Sequence, residues 1–219
     1  MKIISASDFH VFNDKRLPEV HTFRDMVLDE KPDLLILNGD IFDPWKAIWP
    51  DIVQTISYHW LEDLTGRQRT IYINRNHDYN APAYVLPSAT RAAQYRSGRW
   101  LFMHGWEFSM DWSVFGPALF WLSVHWPGLM IPLNRIVIPA HPAKDGPHDK
   151  RQDWNMFVET GHDRARMYAQ KDNVNLCIGH YHCPSAFDGL IVDDGDMEDS
   201  MSFAVIPDDS KDETELRHL

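Results

Sequence analysis

Short apolar runs, each stopped by Asp, Asn or His, recur along this chain. Residues 2–7 (KIISAS) run into Asp8-Phe9-His10, and residues 33–37 (DLLIL) end in Asn38-Gly39-Asp40. Residues 70–73 (TIYI) end in Asn74-Arg75-Asn76-His77-Asp78, residues 100–103 (WLFM) in His104-Gly105, and residues 174–178 (VNLCI) in Gly179-His180-Tyr181-His182. Short, nearly continuous apolar runs predict strands buried on both faces. Between them, helical spacing covers residues 23–30, stopped by Pro32, residues 52–64, with Gly66 near the end, and residues 153–170. Residues 189–192 and 202–206 read as late strands, and residues 208–219 as a charged tail expected to fray. Strands alternating with helices predict an α/β fold, in which functional groups gather beyond the carboxyl ends of the strands.

The length, 219 residues, suits a single domain over 1–219. Apolar residues make up 44% and charged residues 24%, a globular balance. The formal net charge of -11 excludes a bulk basic surface for nucleic acid. It does not exclude phosphate chemistry, because a buried metal pair makes a local positive site inside an acidic protein. Two cysteines, Cys177 and Cys183, are too few for a disulfide framework, so a reduced compartment is expected. The amino-terminal MKIISASDFH reaches Asp8 before a signal core could form, and the expected location is cytoplasmic.

Residues 112–134 carry no formal charge apart from His125. The length suits a membrane span, but Pro117, Pro127 and Pro132, with Gly116 and Gly128, break it into short pieces. A cap-like insertion over 106–150 is expected instead, with apolar residues at 111–135 meeting lipid, a partner chain or the core. Peripheral contact with the inner membrane face is one consequence.

The polar residues at the strand ends suit one another chemically. Asp8 and His10, two apart on extended chain, can both reach one metal. Asp40 and Asp43 add carboxylates, Asn76 adds a neutral oxygen, and His104, His180 and His182 add imidazoles. Carboxylate and imidazole together suit borderline divalent metals. Singly, each has an ordinary reading: a strand-end Asp is commonly a turn former or cap, and a lone His commonly a surface residue. Five such motifs in order, each after its own strand, predict convergence on a dimetal site.

The series Asp-x-His, Gly-Asp-x-x-Asp, Asn-His-Asp, His and Gly-His-x-His resembles the calcineurin-like metallophosphoesterase superfamily over residues 3–182. The resemblance implies a four-layer α/β/β/α sandwich, here with an apolar helical cap insertion. It implies two divalent ions, Mn2+ first and Fe, Zn, Ni or Mg as alternatives. One would take Asp8, His10 and His182, the other Asn76, His104 and His180, and Asp40 would bridge them. The implied reaction is hydrolysis of a phosphodiester or pyrophosphate bond by a hydroxide between the metals. His77 would then protonate the leaving group, with Asp43 orienting it.

Arg75 stands where the family usually has glycine, and either contacts substrate phosphate or is solvated. Trp106 follows His104-Gly105 where relatives often place Asp or His; it either packs or lines the substrate site. In layout the chain is closest to the UDP-2,3-diacylglucosamine pyrophosphohydrolase-like branch, which suggests a lipid-linked diphosphate. That branch typically has Arg after the ligand Asn, and His77 stands there. Arg164 and Arg166 either meet a diphosphate or are solvated helix charges. Other readings are a phosphomonoesterase or protein phosphatase of the same superfamily, a nuclease, or a non-catalytic metal-binding scaffold. Asp43-Pro44-Trp45 and Asp78 differ from the protein-phosphatase continuations.

Overall fold

The computed structural model describes residues 1–108, 148–187, 189–197, 200–207 and 214–219. Most of the cap expected over 106–150, including the uncharged stretch 112–134, lies outside the described residues. Among the described residues, no helix is long and apolar enough to cross a membrane.

The strands are β1 (Lys2–Ala6), β2 (Leu34–Leu37), β3 (Thr70–Ile73), β4 (Thr90–Ala92), β5 (Tyr95–Ser97), β6 (Trp100–Phe102), β7 (Asn175–Ile178), β8 (Ser185–Phe187), β9 (Ile191–Asp193), β10 (Ser202–Pro207) and β11 (Glu215–His218). The helices are α1 (Leu17–Glu30), α2 (Trp49–Ile52), α3 (Ile56–Arg67) and α4 (His148–Asp172). Among the described residues, one sheet runs β11-β10-β1-β2-β3-β4 and the other β5-β6-β7-β9-β8. Strands β1 to β4 are parallel, with β10 antiparallel to β1. In the second sheet, parallel β6, β7 and β9 lie between antiparallel β5 and β8.

Strand alternation builds the layers. Ile4, Ala6, Leu35, Leu37 and Tyr72 pack with Val20, Phe23, Leu61 and Leu64 of α1 and α3. Their neighbours Ile3, Leu34, Ile36, Ile71 and Ile73 turn the other way and meet Trp100, Phe102, Cys177 and Val192 of the second sheet. Leu101, Leu176, Ile178 and Ile191 face outward again, onto Val158, Ala165 and Ala169 of α4. Helix, sheet, sheet and helix therefore stack in four layers, the sandwich the resemblance implied. Central strands covered on both faces carry no polar face, which is why they read as unbroken apolar runs.

The helix expected over 52–64 is divided in two. The Thr55 hydroxyl donates to the Ile52 carbonyl (2.8 Å) and accepts from the Tyr58 amide (3.1 Å), so one side chain closes α2 and caps α3. The frayed tail is also corrected in part. Residues 215–218 form β11, paired in register with β10, and Arg217 reaches Glu30 at the end of α1 (3.1 Å). A cross-strand ladder and an ion pair give this segment partners that a solvated tail lacks.

Helix α4 passes close over the loop after β7. A Cβ on Gly161 would lie 2.3 Å from the Tyr181 ring, so only glycine lets Tyr181 pack under the helix. Tyr181 is fully buried between His180 and His182, and its hydroxyl donates to the Gly105 carbonyl (3.3 Å). The layer packing thus fixes the direction in which the two histidines leave the sheet.

Candidate metal centre

The two sheets present the ends of β1, β2, β3, β6 and β7 to one edge, and backbone hydrogen bonds lace their loops together. The Asp8 amide donates to the Gly39 carbonyl (3.1 Å), His10 to Asp40 (2.9 Å), and Gly179 to His104 (2.9 Å). The His180 amide donates to the Asp8 carboxylate (2.9 Å), crossing from one sheet to the other. These links bring Asp8, His10, Asp40, Asn76, His77, His104, His180 and His182 into one cluster.

The backbone there is held under strain. Six of the seven expected ligands have left-handed φ: Asp8 (56°), His10 (48°), Asp40 (52°), Asn76 (57°), His180 (73°) and His182 (49°). Such conformations cost about 1–3 kcal/mol each and persist only where their surroundings over-determine them. Arg75, by contrast, is extended (φ -130°, ψ 165°), a conformation open to any residue, so this loop does not require the family's usual glycine.

Among the described residues, two groups of side chains could each hold a metal ion: Asp8, His10 and His182, and Asp40, His104 and His180. A third, His10, Asp40 and His77, overlaps both. Asn76 joins the second group through its amide, which donates to Asp40 Oδ2 (2.9 Å) and leaves the amide oxygen over as the lone-pair donor. Unpartnered atoms decide that the residues fit a cation. His104 Nδ1 donates to the Asn38 carbonyl (2.9 Å), so a neutral ring has its lone pair on Nε2. That Nε2 is buried, has no hydrogen-bond partner among the described residues and lies 3.2 Å from Asp40 Oδ2. Asp8 Oδ1 is likewise buried without a hydrogen bond, 3.3 Å from His182 Nε2. A lone pair facing a carboxylate at these distances calls for positive charge between them.

The acid–base balance says the same. Burial alone would lower His10, but Asp8, Asp40 and Asp43 outweigh it and raise the imidazole to about 9. Burial is likewise outweighed at His104, which Asp40 and Asp8 raise to about 10. At His180, burial and the neighbouring His104 prevail and push the ring down to about 3, leaving it neutral. Without metal, protons on His10 and His104 fill the need for positive charge. Both rings sit above their ordinary 6.5, so their stabilising contribution is complete below that pH and is lost as pH rises through about 9 to 10. Chelator-treated protein should therefore lose Tm between neutral pH and about pH 10. Added manganese should restore it most at the alkaline end, where no proton competes. A metal-induced Tm shift that is flat across this range, measured by calorimetry, would contradict the assignment.

Around the cluster lies a second layer of polar contacts. The Asp43 carboxylate accepts from His77 Nδ1 (3.0 Å) and from the Trp45 amide (3.2 Å) on one oxygen, and its other oxygen pairs with Lys46 Nζ (2.9 Å). Asp78, completely buried, accepts from the Ile41 and Phe42 amides (2.7 and 2.8 Å) and so clamps the loop after β2 to the loop after β3. Behind Asp8, the Ser7 hydroxyl lies against both Asp8 Oδ2 and Asp194 Oδ1. One hydroxyl donates one proton, and burial raises Asp194 to about 7, so Asp194 can hold the second. Lys46, Asp194 and the buried Asp196 carry no sequence signal, and Trp45 shows there only as a departure from the protein-phosphatase continuation. Asp78 was visible only as the third member of Asn-His-Asp.

The expected substrate residues separate. Arg75 directly precedes Asn76, lies over the Tyr79 ring and keeps a buried Nε without an acceptor among the described residues. Trp106 is half-buried in the short 3-10 helix Trp106–Phe108 just after His104. Arg164 donates to the Phe108 carbonyl (3.2 Å), tying α4 to that helix. Arg166 pairs with Asp163 (2.7 Å) and lies over Phe187, as a helix surface charge does.

Gly39 gives the arrangement a sharp test. Its φ is +93°, and a Cβ there would lie 2.6 Å from the His104 ring. Gly39→Ala should cost about 1–2 kcal/mol in backbone strain alone. It should also displace His104 and lower metal affinity at that group. Wild-type metal titration curves in Gly39→Ala would show that His104 does not need this position.

A family model described as calcineurin-like phosphoesterase matches residues 1–184. No curated protein matches the chain. Among solved structures, similar chains include Yfce, a phosphoesterase from E. coli, at 16% identity and TM-score 0.49, covering 95% of this chain and 90% of that one. TT1561 of Thermus thermophilus is similar at 11% identity and TM-score 0.46, covering 99% of this chain and 98% of that one. The family match begins with β1 and runs through both histidines of the last strand-end motif, and the chain belongs to the calcineurin-like phosphoesterase family.

Proposed function

We propose that this metal-dependent phosphoesterase hydrolyses a phosphodiester or pyrophosphate bond at a dinuclear centre bridged by Asp40. The observation that carries the reading is the pair of ligand groups, Asp8-His10-His182 and Asp40-His104-His180, in which the buried Asp8 Oδ1 and His104 Nε2 have no hydrogen-bond partner among the described residues. Two divalent cations, when bound there, supply an acidified water as nucleophile and offset charge growing on the phosphoryl oxygens.

The chain's own residues do the rest. Asp43 accepts the Nδ1 proton of His77, which leaves Nε2 turned toward the centre, 3.9 Å from Asp40 Oδ2. Protonated His77 gives its Nε2 proton to the leaving oxygen as the P–O bond breaks, while the water oxygen forms the new P–O bond and releases a proton to solvent. A poor alkoxide leaving group needs such a donor more than a good one. Arg75, whose Nε beside Asn76 has no acceptor among the described residues, is assigned to a phosphoryl oxygen of the substrate. Manganese is the first metal to try, because mixed imidazole and carboxylate ligands accept it.

The test is a screen of manganese-loaded protein against phosphomonoesters, phosphodiesters and nucleotide diphospho-lipids. Turnover of diesters or diphosphates above monoesters is the expected result. Turnover of monoesters alone would replace this reading with that of a phosphomonoesterase.

A further inference from the structure

Resting on the reading of His77 as proton donor, we propose that Trp45 is a positioning residue whose stacked indole holds the His77 imidazole in its reactive plane.

A histidine ring turns easily about its last side-chain bond, because that torsion is broad. One hydrogen bond at Nδ1 fixes a point on the ring but lets the plane tilt around it. Trp45 removes that freedom. Its ring lies 3.8 Å from the His77 ring, with 22° between the planes. On another side His10 meets His77 edge-on, with centroids 5.0 Å apart. The ring is thus held by a plane, an edge and a hydrogen bond, and Nε2 is the atom left facing the centre.

The same short loop sets both constraints. The Trp45 amide donates to Asp43 Oδ1, the oxygen that also accepts from His77 Nδ1. Pro44 fixes one backbone dihedral between them, and the Lys46 amide donates back to the Asp43 carbonyl (3.0 Å), closing a tight turn. Lys46 Nζ holds the second Asp43 oxygen. The backbone of residue 45 therefore orients the carboxylate that orients His77, while its side chain orients the ring itself. Trp45 is half-buried at the rim, so a substrate platform is the competing use of its indole. The two uses differ in what they change: a platform acts on binding of every substrate, whereas a positioning residue acts on proton transfer to poor leaving groups.

The experiment compares Trp45→Leu, Trp45→Phe and His77→Asn on diesters with p-nitrophenol, phenol and ethanol leaving groups, all with manganese-loaded protein. Trp45→Leu should lower kcat for the ethanol leaving group roughly 10- to 100-fold, the cost of a misplaced catalytic group. It should leave p-nitrophenol within about twofold and KM unchanged, and Trp45→Phe should recover most of the loss. An independent readout is the His77 ring-proton resonance in diamagnetic, magnesium-loaded protein, identified by its loss in His77→Asn. Stacking should displace it upfield in the wild type, the displacement should vanish in Trp45→Leu, and Trp45→Phe should retain part of it. An equal loss on all three leaving groups, a change in KM alone, or an unmoved ring proton in Trp45→Leu overturns the proposal. If His77→Asn itself shows no leaving-group dependence, the donor reading fails. If His77→Asn is selective and Trp45→Leu is silent, only the positioning role fails.

Discussion

Asp40→Ala is expected to leave the protein without stably bound divalent metal and without measurable hydrolysis of any phosphate ester. The Asp40 carboxylate lies in one candidate ligand group with His104 and His180 and in another with His10 and His77. Its Oδ2 lies 3.2 Å from His104 Nε2 and accepts from Asn76. Its carbonyl accepts from the His10 amide. Imidazoles and nearby charge outweigh its burial and hold it well below the usual carboxylate range, so it is anionic at any working pH. Removing it takes away the negative charge that two cations would share. Because Asp40 Oδ1 also accepts the His77 amide (2.9 Å), Asp40→Asn is the control that keeps that hydrogen bond while weakening the charge. Elemental analysis after gel filtration checks the result. Full metal loading in Asp40→Ala would remove the bridging role.

His77→Asn is expected to lower turnover on alkyl leaving groups by roughly a hundredfold or more, the usual size of general acid catalysis. Diesters that release p-nitrophenol should be nearly unaffected, since that leaving group departs without a proton. Metal content should persist, because His77 Nδ1 is committed to Asp43 and its Nε2 stands 3.9 Å from Asp40. The third ligand group, His10-Asp40-His77, supplies the alternative. If His77 were a ligand, the variant would lose metal and fall equally on all substrates. Steady-state kinetics paired with metal analysis separates the two.

Much of this was legible in the sequence because its strands are covered on both faces. Strands β1, β2, β3, β6 and β7 lie inside the sandwich, so their apolar runs are unbroken and the polar residue that stops each run marks a strand end. That rule brought out the strand-end Asp, Asn and His residues, and the family resemblance sorted seven of them as expected ligands. The rule could not find β4, β5, β8 or β11, which are three or four residues long and largely exposed or half-exposed. Without a buried face such strands have no apolar pattern to read.

The second layer was hidden for a different reason. Closely spaced carboxylates are usually solvated, yet Asp193, Asp194 and Asp196 are completely buried. Asp193 and Asp194 also find partners in distant segments. Asp193 accepts from Gly195 and lies 2.9 Å from His162 on α4, while Asp194 accepts from Ser5 and Ser7 of the first strand and its exit. Only the packing of both sheets makes such contacts visible. The role of Trp45 is hidden likewise, since its stack on His77 depends on the turn that Asp43 and Pro44 impose.

The most direct test of the dinuclear centre is anomalous diffraction from crystals of manganese-loaded protein. Two manganese peaks are expected. One should lie among Asp8, His10 and His182, the other among Asn76, His104 and His180, with Asp40 between them. A single peak, or peaks outside these groups, would contradict the account.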